Sequence, residues 1–469
     1  MSQTDSAAGD TAHKTVDVLV LGGGTGNKVA SAAAAAGLET VLVEKGPLGG
    51  TCLNRGCNPS KMLIAHANRV NAVADADRFH VDVTLDGVDV PAIVEEVHGT
   101  LGDIADGMAE SKRNEENLTL VNAEGQFIDD RTLRADGTEY TAEKVLVAAG
   151  TRPLVIDAID GLTDVDYLTS SEALRLSEPP ERLVVMGGGY IAAELGYYFD
   201  ALGTEVALIE MEDSLLPRED DEVAERFTDI ARRRHDVFTG YRVTSVSEAD
   251  GTITATAESA DGDTIEVSGD ELLVALGRRP NTDRIGIENT DIALDDRGFV
   301  ETDDRLETNV DGVYAIGDII GDHPFKHAAD YEVEVVTENL VDGADRTVDY
   351  SGMSHAVFTE PQVAGVGRTE GQLQENGVEY VVGRAEYADA AMSRALKIDD
   401  GLVKVLASPD GELLGCHLVG HEASMLVHEA TLAVRHGLSV EDVADTIHVH
   451  PSMNKVLESA FRDAASKLA

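Results

Sequence analysis

Residues 16–45 read VDVLVLGGGTGNKVASAAAAAGLETVLVEK. VDVLVL is an unbroken apolar run of strand length, the pattern of a strand buried on both faces of a parallel sheet. GGGTGN follows. The Ala-rich segment after it reads as a helix whose small side chains let it lie close on a sheet. ETVLVEK reads as a second strand ending in Glu44, so the stretch is a βαβ unit. The loop Gly22-x-Gly24-x-x-Asn27 brings backbone N–H groups and a helix N-terminus to a pyrophosphate. Glu44, twenty residues past Gly24, accepts from ribose hydroxyls. Asn27 stands where this fingerprint has Gly or Ala, which predicts a looser helix–strand contact there.

The unit recurs at 182–210, RLVVMGGGYIAAELGYYFDALGTEVALIE, with the loop Gly187-x-Gly189-x-x-Ala192 and Glu210 closing its second strand. This form fits the fingerprint fully. One acid per loop predicts two dinucleotides, each with a free ribose diol. Glu210 repels a 2′-phosphate and so favours NADH over NADPH. Arg218 reads as a solvated surface residue. Short alternating strands are expected over 112–150 and 237–276, and GVYAIGDI at 312–319 is a further strand ending in Asp318. From about 349 the pattern is that of an antiparallel sheet flanked by helices near 421–436 and 452–465. No low-complexity linker intervenes, so one compact body is expected.

The chain has 469 residues, with 37 Lys plus Arg against 87 Asp plus Glu, a formal net charge of −50. A hydrophobic content of 43% and 45 glycines belong to a folded protein rather than an acidic disordered one. Nucleic acid and anionic membrane both require a basic surface, so neither is an expected partner. The acid is spread along the whole chain, as on proteins of salt-accumulating halophiles, and only 11 of the cations are Lys. In molar salt the screening length falls to about 3 Å, which suppresses self-repulsion, and the fold is expected to loosen in dilute buffer. No run of about 18 apolar residues is present, and the polar N-terminus lacks a signal-peptide core. Three cysteines cannot form a disulfide framework, so a cytoplasmic setting is expected.

Two of those cysteines, Cys52 and Cys57, lie in GGTCLNRGCNPSK, residues 49–61. As a metal site the pair is poor, because no second Cys pair or clustered His completes four ligands, and no metal is expected. Two inert core cysteines directly after the first nucleotide-binding strand would be a coincidence of placement. A redox dithiol fits better. The pair opens an apparent helix, SKMLIAHANRV, whose macrodipole favours a thiolate.

GGTCLNRGCNPSK resembles the redox-active segment of the flavoprotein disulfide reductases, the class I pyridine nucleotide-disulfide oxidoreductases that include glutathione reductase, dihydrolipoyl dehydrogenase and mercuric reductase. The resemblance spans essentially the whole chain: Tyr190 with Glu194, AAGTRP, GRRPNT, GVYAIGD, FTEPQVAGVG and HVHPSMNKVLESA follow in family order. It implies an α/β fold with two Rossmann-like dinucleotide-binding domains, as in glutathione reductase, and a C-terminal α+β dimerisation domain. The implied boundaries are 1–152 and 277–348 for FAD, 153–276 for NAD(P) and 349–469 for dimerisation. It also implies FAD and NAD(P)H as cofactors and a homodimer. Cys57 would face the flavin and Cys52 would be the interchange thiol. Lys61 would sit near the flavin N5 and pair with Glu194, while Tyr190 gates the nicotinamide pocket. Asp318 would hold the ribityl chain. Thr51, Gly125, Gly150 and Gly277 complete the implied cofactor contacts. His450, before Pro451, would be the acid–base group reaching the other subunit's dithiol, with His448 structural. Disulfide exchange needs a thiolate attacker and a protonated leaving thiol, which a histidine can serve.

The resemblance implies a small-molecule disulfide as substrate. Dihydrolipoyl dehydrogenase normally has a Glu five residues after the histidine, where this chain has Lys455. A cation there opposes an imidazolium rather than supporting it, and Glu458 could substitute one turn later. GGGTGN and FKHAADYE, 325–332, look like the mycothione reductase branch, which reduces disulfides of low-molecular-mass thiols. With the halophile-like surface, this points to bis-γ-glutamylcystine, whose carboxylates Lys455 or another cation near the dimer cleft would bind. Dihydrolipoyl dehydrogenase is the enzymatic alternative. A mercuric reductase-like enzyme is disfavoured by the missing C-terminal cysteine pair. A non-catalytic FAD-binding subunit is disfavoured by the retained Cys52, Cys57 and His450. Family habit among such reductases is NADPH held by Arg, but Met211 and Pro217 stand at those positions. Glu210 and family habit therefore point to different nucleotides.

Overall fold

The computed structural model describes residues 12–468. They divide into two compact units, where the sequence suggested one. The first holds the chain up to Pro59 with His98–Arg152 and Arg278–Asp349; the second holds Ser60–Val97, Pro153–Gly277 and the chain from Tyr350. Each unit closes its own sheets over its own apolar core, which is why contacts concentrate within them.

In the first unit the apolar run becomes the strand Ala12–Leu21, central in a seven-stranded sheet. It pairs in parallel with Thr40–Val43 on one side and Thr138–Val147 on the other, in the registers Val18↔Thr40 and Leu19↔Val145. Leu118–Val121 extends the sheet beyond Thr40–Val43, and Val313–Ala315 pairs in parallel with Thr138–Val147. Thr132–Ala135 and Gly125–Asp129 form an antiparallel flap on Thr138–Val147. Val18, Leu19 and Val20 are fully buried, as a strand covered on both faces requires. The Ala-rich segment forms the helix Gly26–Ala35, with Val29, Ala30, Ala33 and Ala34 buried.

The second unit repeats the parallel theme. Asp236–Thr239, Glu205–Glu210, Arg182–Met186 and Glu271–Val274 make a four-stranded parallel sheet in that order. The helix Tyr190–Ala201 follows its Gly loop. Tyr241–Ala249, Thr252–Ser259 and Thr264–Gly269 form a three-stranded antiparallel sheet. The C-terminal region is a five-stranded antiparallel sheet, Ser354–Val357, Gln362–Gly367, Leu413–Gly420, Leu402–Ala407 and Val381–Glu386. Helices Ala423–His436 and Asn454–Ala465 cover it, burying Leu426, Val427, Leu457 and Phe461. The 24-residue helix Val90–Arg113 is an element that the loop motifs did not signal. No helix among the described residues is long and apolar enough to cross a membrane.

Candidate active site

The first Gly loop turns on Gly22, at φ +110°. A Cβ there would lie 2.2 Å from the Ala148 carbonyl oxygen, so only Gly lets the loop pass the neighbouring strand. Glu44 accepts from the Gly23 N–H at 2.6 Å and from the Gly46 N–H at 2.7 Å. Its carboxylate is thereby fixed at the strand end with lone pairs to spare for hydroxyls. The looser helix contact expected at Asn27 is not found. Asn27 is 5% exposed, and its amide donates to the carbonyls of Gly23 and Gly24. The close approach is made one residue earlier, where a Cβ on Gly26 would lie 2.9 Å from Val20 Cγ1.

The second loop reproduces this geometry. A Cβ on Gly187, at φ +109°, would lie 2.5 Å from the Ala275 carbonyl oxygen. Glu210 accepts from Gly188 N–H at 2.5 Å and from Glu212 N–H at 2.9 Å, and is 7% exposed. Gly189 has nothing within 4 Å of an added Cβ. Tyr190, the first residue of the following helix, is 42% exposed. Met211, Pro217 and Arg218 are exposed. Neither loop helix carries an acid in its first turn, although the chain has 87 acids. Both ends therefore keep the positive field that phosphate needs.

Directly after the first unit's second strand, Gly50–Arg55 is a short helix carrying Thr51 and Cys52, and Cys57 opens the long helix Cys57–Ala74. Cys52 is half-buried and Cys57 exposed, neither in a disulfide, while Cys416 is fully buried. The Cys52 thiol donates to Asn58 Oδ1 at 3.5 Å. Its hydrogen bond with Cys57, then burial, then negative charge on Cys57 push the Cys52 thiol well up. Lys326 and the Asn58 backbone act in the opposite sense. Burial likewise raises Cys416, which is therefore inert.

On the same helix as Cys57, Lys61 donates to both oxygens of Glu194, at 2.8 and 2.6 Å. Glu194 is 3% exposed and also accepts from Phe358 N–H at 3.1 Å, and the Lys61 ammonium lies 4.9 Å from the Phe358 ring centre. In the first unit, Asp318 accepts from Thr151 Oγ1 at 2.8 Å. Arg278 Nε donates to that hydroxyl at 2.7 Å and lies 3.8 Å from Asp318. The fully buried Glu332 accepts from Gly317 N–H at 2.6 Å and pins the turn that presents Asp318. Thr151, Arg278 and Glu332 were not singled out individually, although they lie inside AAGTRP, GRRPNT and FKHAADYE. Gly150 and Gly277 have positive φ and open space around an added Cβ. Gly125 is packed, with a Cβ there 2.9 Å from Leu21 and from Val43. The open Gly150, the fixed Glu44 and Asp318, and the acid-free helix start together fit a flavin dinucleotide on the first loop.

His450 is exposed and belongs to the second unit, whereas the dithiol belongs to the first. No carboxylate among the described residues pairs with it. Glu458 does not take the place of the missing acid. It is held by Lys455, by Arg462 at 2.9 Å, and lies 3.7 Å from His448. Burial alone would raise the Glu458 carboxyl, but the hydrogen bonds from Lys455 and Arg462 prevail and hold it below the usual range. Lys455 is thus already neutralised. His448 bonds Glu429 at 2.5 Å and the Thr446 carbonyl at 2.8 Å, a structural role. Just before His450 in the chain, Ile447 is 98% and Val449 75% exposed, and on the helix Ala423–His436 Met425 is 70% exposed.

Comparison with known proteins agrees with this arrangement. Residues 16–342 match the pyridine nucleotide-disulphide oxidoreductase family, and residues 353–461 match its dimerisation domain. The chain is 37% identical to a dihydrolipoyl dehydrogenase of Haloferax volcanii, with 97% of each chain covered. It is 34% identical to a mycothione reductase of Mycobacterium tuberculosis, covering 96% of this chain and 99% of that one. Among solved structures, the Cu(II) complex of the HOCl-induced flavoprotein disulfide reductase RclA from Escherichia coli superposes with a TM-score of 0.85 at 26% identity, covering 96% and 99%. Two Rossmann-type loops, a dithiol between them in sequence and a C-terminal antiparallel domain make this chain a member of the pyridine nucleotide-disulfide oxidoreductase family, enzymes that use FAD and NAD(P)H to act on sulfur groups.

Proposed function

We propose that the protein is a cytoplasmic, halophilic homodimer that uses NAD(P)H to reduce a low-molecular-mass thiol disulfide, with bis-γ-glutamylcystine as substrate. The observation that carries this reading is the setting of His450. Lys455 stands five residues on, where dihydrolipoyl dehydrogenase normally has a Glu, and among the described residues no carboxylate pairs with His450, a departure that supports the other reductase branch. The likeness to mycothione reductase supports the same branch. The net charge of −50 and the Haloferax relative support a high-salt setting. The dimerisation-domain match and the exposed Ile447, Val449 and Met425 support a dimer in which His450 of the partner subunit serves the dithiol.

On this reading residues 1–152 and 277–348 bind FAD, 153–276 bind NAD(P)H and 349–469 dimerise. FAD, when bound, supplies a two-electron carrier between hydride and disulfide. Glu44, Thr51, Gly125, Gly150 and Asp318 would hold it, and Lys61, fixed by Glu194, would set the charge beside it. Gly187, Gly189, Tyr190, Glu210 and Gly277 would hold the nicotinamide dinucleotide, with Glu210 favouring NADH. Cys52 attacks the substrate disulfide, His450 protonates the first departing thiol, and Cys57 resolves the mixed disulfide and releases the second. Dihydrolipoyl dehydrogenase is the alternative, favoured by the name of the Haloferax relative. NAD(P)H oxidation in molar salt with bis-γ-glutamylcystine, lipoamide and Hg(II) in parallel separates these readings. The proposal expects the highest kcat/KM for bis-γ-glutamylcystine, and a higher value for lipoamide would overturn it.

A further inference from the structure

The second Gly loop is fastened to the C-terminal sheet of its own unit through a chain of three hydrogen bonds. The Gly188 carbonyl accepts from Leu216 N–H at 2.8 Å, and the Leu216 carbonyl accepts from Glu219 N–H at 3.0 Å. Glu219 Oε2 then accepts from His355 Nε2 at 2.8 Å. Gly188 is also the residue whose N–H holds Glu210. Leu216 closes the bend at φ +53°, a left-handed conformation that a leucine rarely adopts, so the bend needs holding from outside. Glu219 ends the bend with a side chain 8% exposed, and a carboxylate so nearly buried needs a partner. His355, on the strand Ser354–Val357, supplies it.

The surroundings make this pair a charged one. Gly365 stands opposite His355 on one side and opposite His417 on the other. The two imidazoles meet over the missing side chain: a Cβ on Gly365 would lie 2.9 Å from His355 Cε1 and 2.9 Å from His417 Nδ1. His417 is fully buried and donates from Nε2 to the Arg368 carbonyl at 2.9 Å. Burial pushes it down, so it stays neutral and leaves His355 the cation. The same face carries Lys404, which is closed on Asp220, Glu222 and Glu370. Cys416 and Leu418 turn to the opposite face with Ala356, where the helix Ala423–His436 packs, so His428, Glu429, Arg435 and His436 lie across the sheet from His355. The helix Tyr190–Ala201 approaches the strand with Glu194, already held by Lys61. Burial alone would lower the His355 imidazolium, but the hydrogen bond and charge of Glu219 prevail and hold it above the usual histidine range.

We propose that His355 is a positioning residue for the nicotinamide dinucleotide: as an imidazolium on Glu219 it holds the bend Leu216–Glu219 against the Gly loop and cancels a carboxylate that would otherwise repel an anionic ligand. The inference rests on the reading of the second loop as the NAD(P)H site. The pyrophosphate of that ligand is dianionic, and the chain itself carries −50. The pair is intact while His355 is protonated. As pH rises through the folded value of His355, the imidazole turns neutral, Glu219 keeps its charge, and nucleotide affinity falls. A partly buried pair is screened less by salt than an exposed one, so the effect survives in molar salt.

The test is the reductive half-reaction of the flavin-loaded protein, followed anaerobically by stopped flow in molar salt from neutral to alkaline pH. The dependence of flavin bleaching on NADH concentration, or on NADPH if that binds more tightly, gives the nucleotide affinity and a limiting rate. Neither the disulfide substrate nor His450 takes part. In the unaltered protein affinity is expected to fall about fivefold towards alkaline pH at an unchanged limiting rate. H355Q, which keeps an N–H donor and loses the charge, is expected to bind about fivefold more weakly at neutral pH and to show no further fall. E219Q is expected to bind tightly across the range, and the double variant H355Q/E219Q to recover that affinity. Weakening of H355Q and E219Q alike at every pH marks a purely structural contact and overturns the proposal. So does a pH-independent affinity in the unaltered protein, or an H355Q profile that matches it. Should H355Q fail to fold, E219Q decides alone, and an alkaline fall that persists in it refutes the idea. If Gly187→Ala leaves nucleotide affinity unaltered, the assignment of the second loop itself fails, independently of His355.

Discussion

The two Gly loops make matching contacts well past the fingerprint and then part. In the first, Leu48 packs on Gly23, whose Cβ would meet it at 2.4 Å, and Gly49 N–H donates to the Gly23 carbonyl at 3.0 Å. In the second, Leu215 packs on Gly188, whose Cβ would meet it at 2.7 Å, and Leu216 N–H donates to the Gly188 carbonyl at 2.8 Å. Gly49 and Leu216 both adopt positive φ. Beyond that point the first chain enters the helix of Cys52. The second reaches Asp220, which caps the helix Asp221–Ala231 and is locked to buried Lys404 at 2.6 Å. One nucleotide scaffold is thus continued as a reactive pair and the other as an ionic anchor. The lesson is that the loop specifies what is bound, whereas the ten residues after it specify what is done.

That contrast can be broken at both continuations. The largest effect is expected from Cys52→Ser, which should cut disulfide reduction by roughly 10⁴-fold, read as steady-state NAD(P)H oxidation, since a hydroxyl replaces the nucleophile. Retained turnover would end the account of the first continuation. Next, Asp220→Asn removes one of the two carboxylates that lie 2.6 Å from Lys404, which is 1% exposed, and leaves it Glu370 and, at 3.3 Å, Glu222. A loss of about 2–3 kcal/mol in unfolding free energy is expected, measured by denaturant titration in molar salt. Burial alone would raise the Asp220 carboxyl, but the hydrogen bond from Lys404 and the Glu370 N–H lower it on balance. A depressed folded value means that this stabilisation is present at neutral pH. It is lost as pH falls from about 4 through the folded value. The difference between the unaltered protein and Asp220→Asn should therefore shrink only under acid.

The shared part of the comparison is sharpened by Gly22→Ala and Gly187→Ala. Each forces a Cβ onto a carbonyl oxygen at positive φ, and each should cost about 2–4 kcal/mol. Flavin absorbance should fall in the first variant and the KM for the nicotinamide nucleotide should rise in the second. The smallest effect is expected for Glu210→Gln, which should narrow the NADH-to-NADPH preference by about tenfold, the worth of one charge contact with a 2′-phosphate. An unchanged ratio would show that Glu210 does not choose the nucleotide.

Much of this was legible because it is local. Gly22 and Gly187 need no Cβ for reasons that strand and loop geometry impose. The acids Glu44 and Glu210 fall where a strand of fixed rise ends. The pairing of Lys61 with Glu194, 133 residues apart, followed from family resemblance and not from any periodicity. Asn27 misled because its side chain folds back on loop carbonyls while the neighbouring Gly26 makes the close contact. Glu458 misled because helical spacing gives it Lys455 and Arg462 as neighbours at i−3 and i+4, which a count from His450 does not show.

By itself the chain's order of residues determined the two βαβ units and the place of the cysteine pair, since periodicity and glycine act over short range. Only the tertiary structure decided that Asp220 and Lys404, 184 residues apart, meet in the interior, and that Glu458 is taken by Lys455 and Arg462. Such convergence depends on which helices pack and how their faces turn, a property of the assembled core that no local pattern encodes.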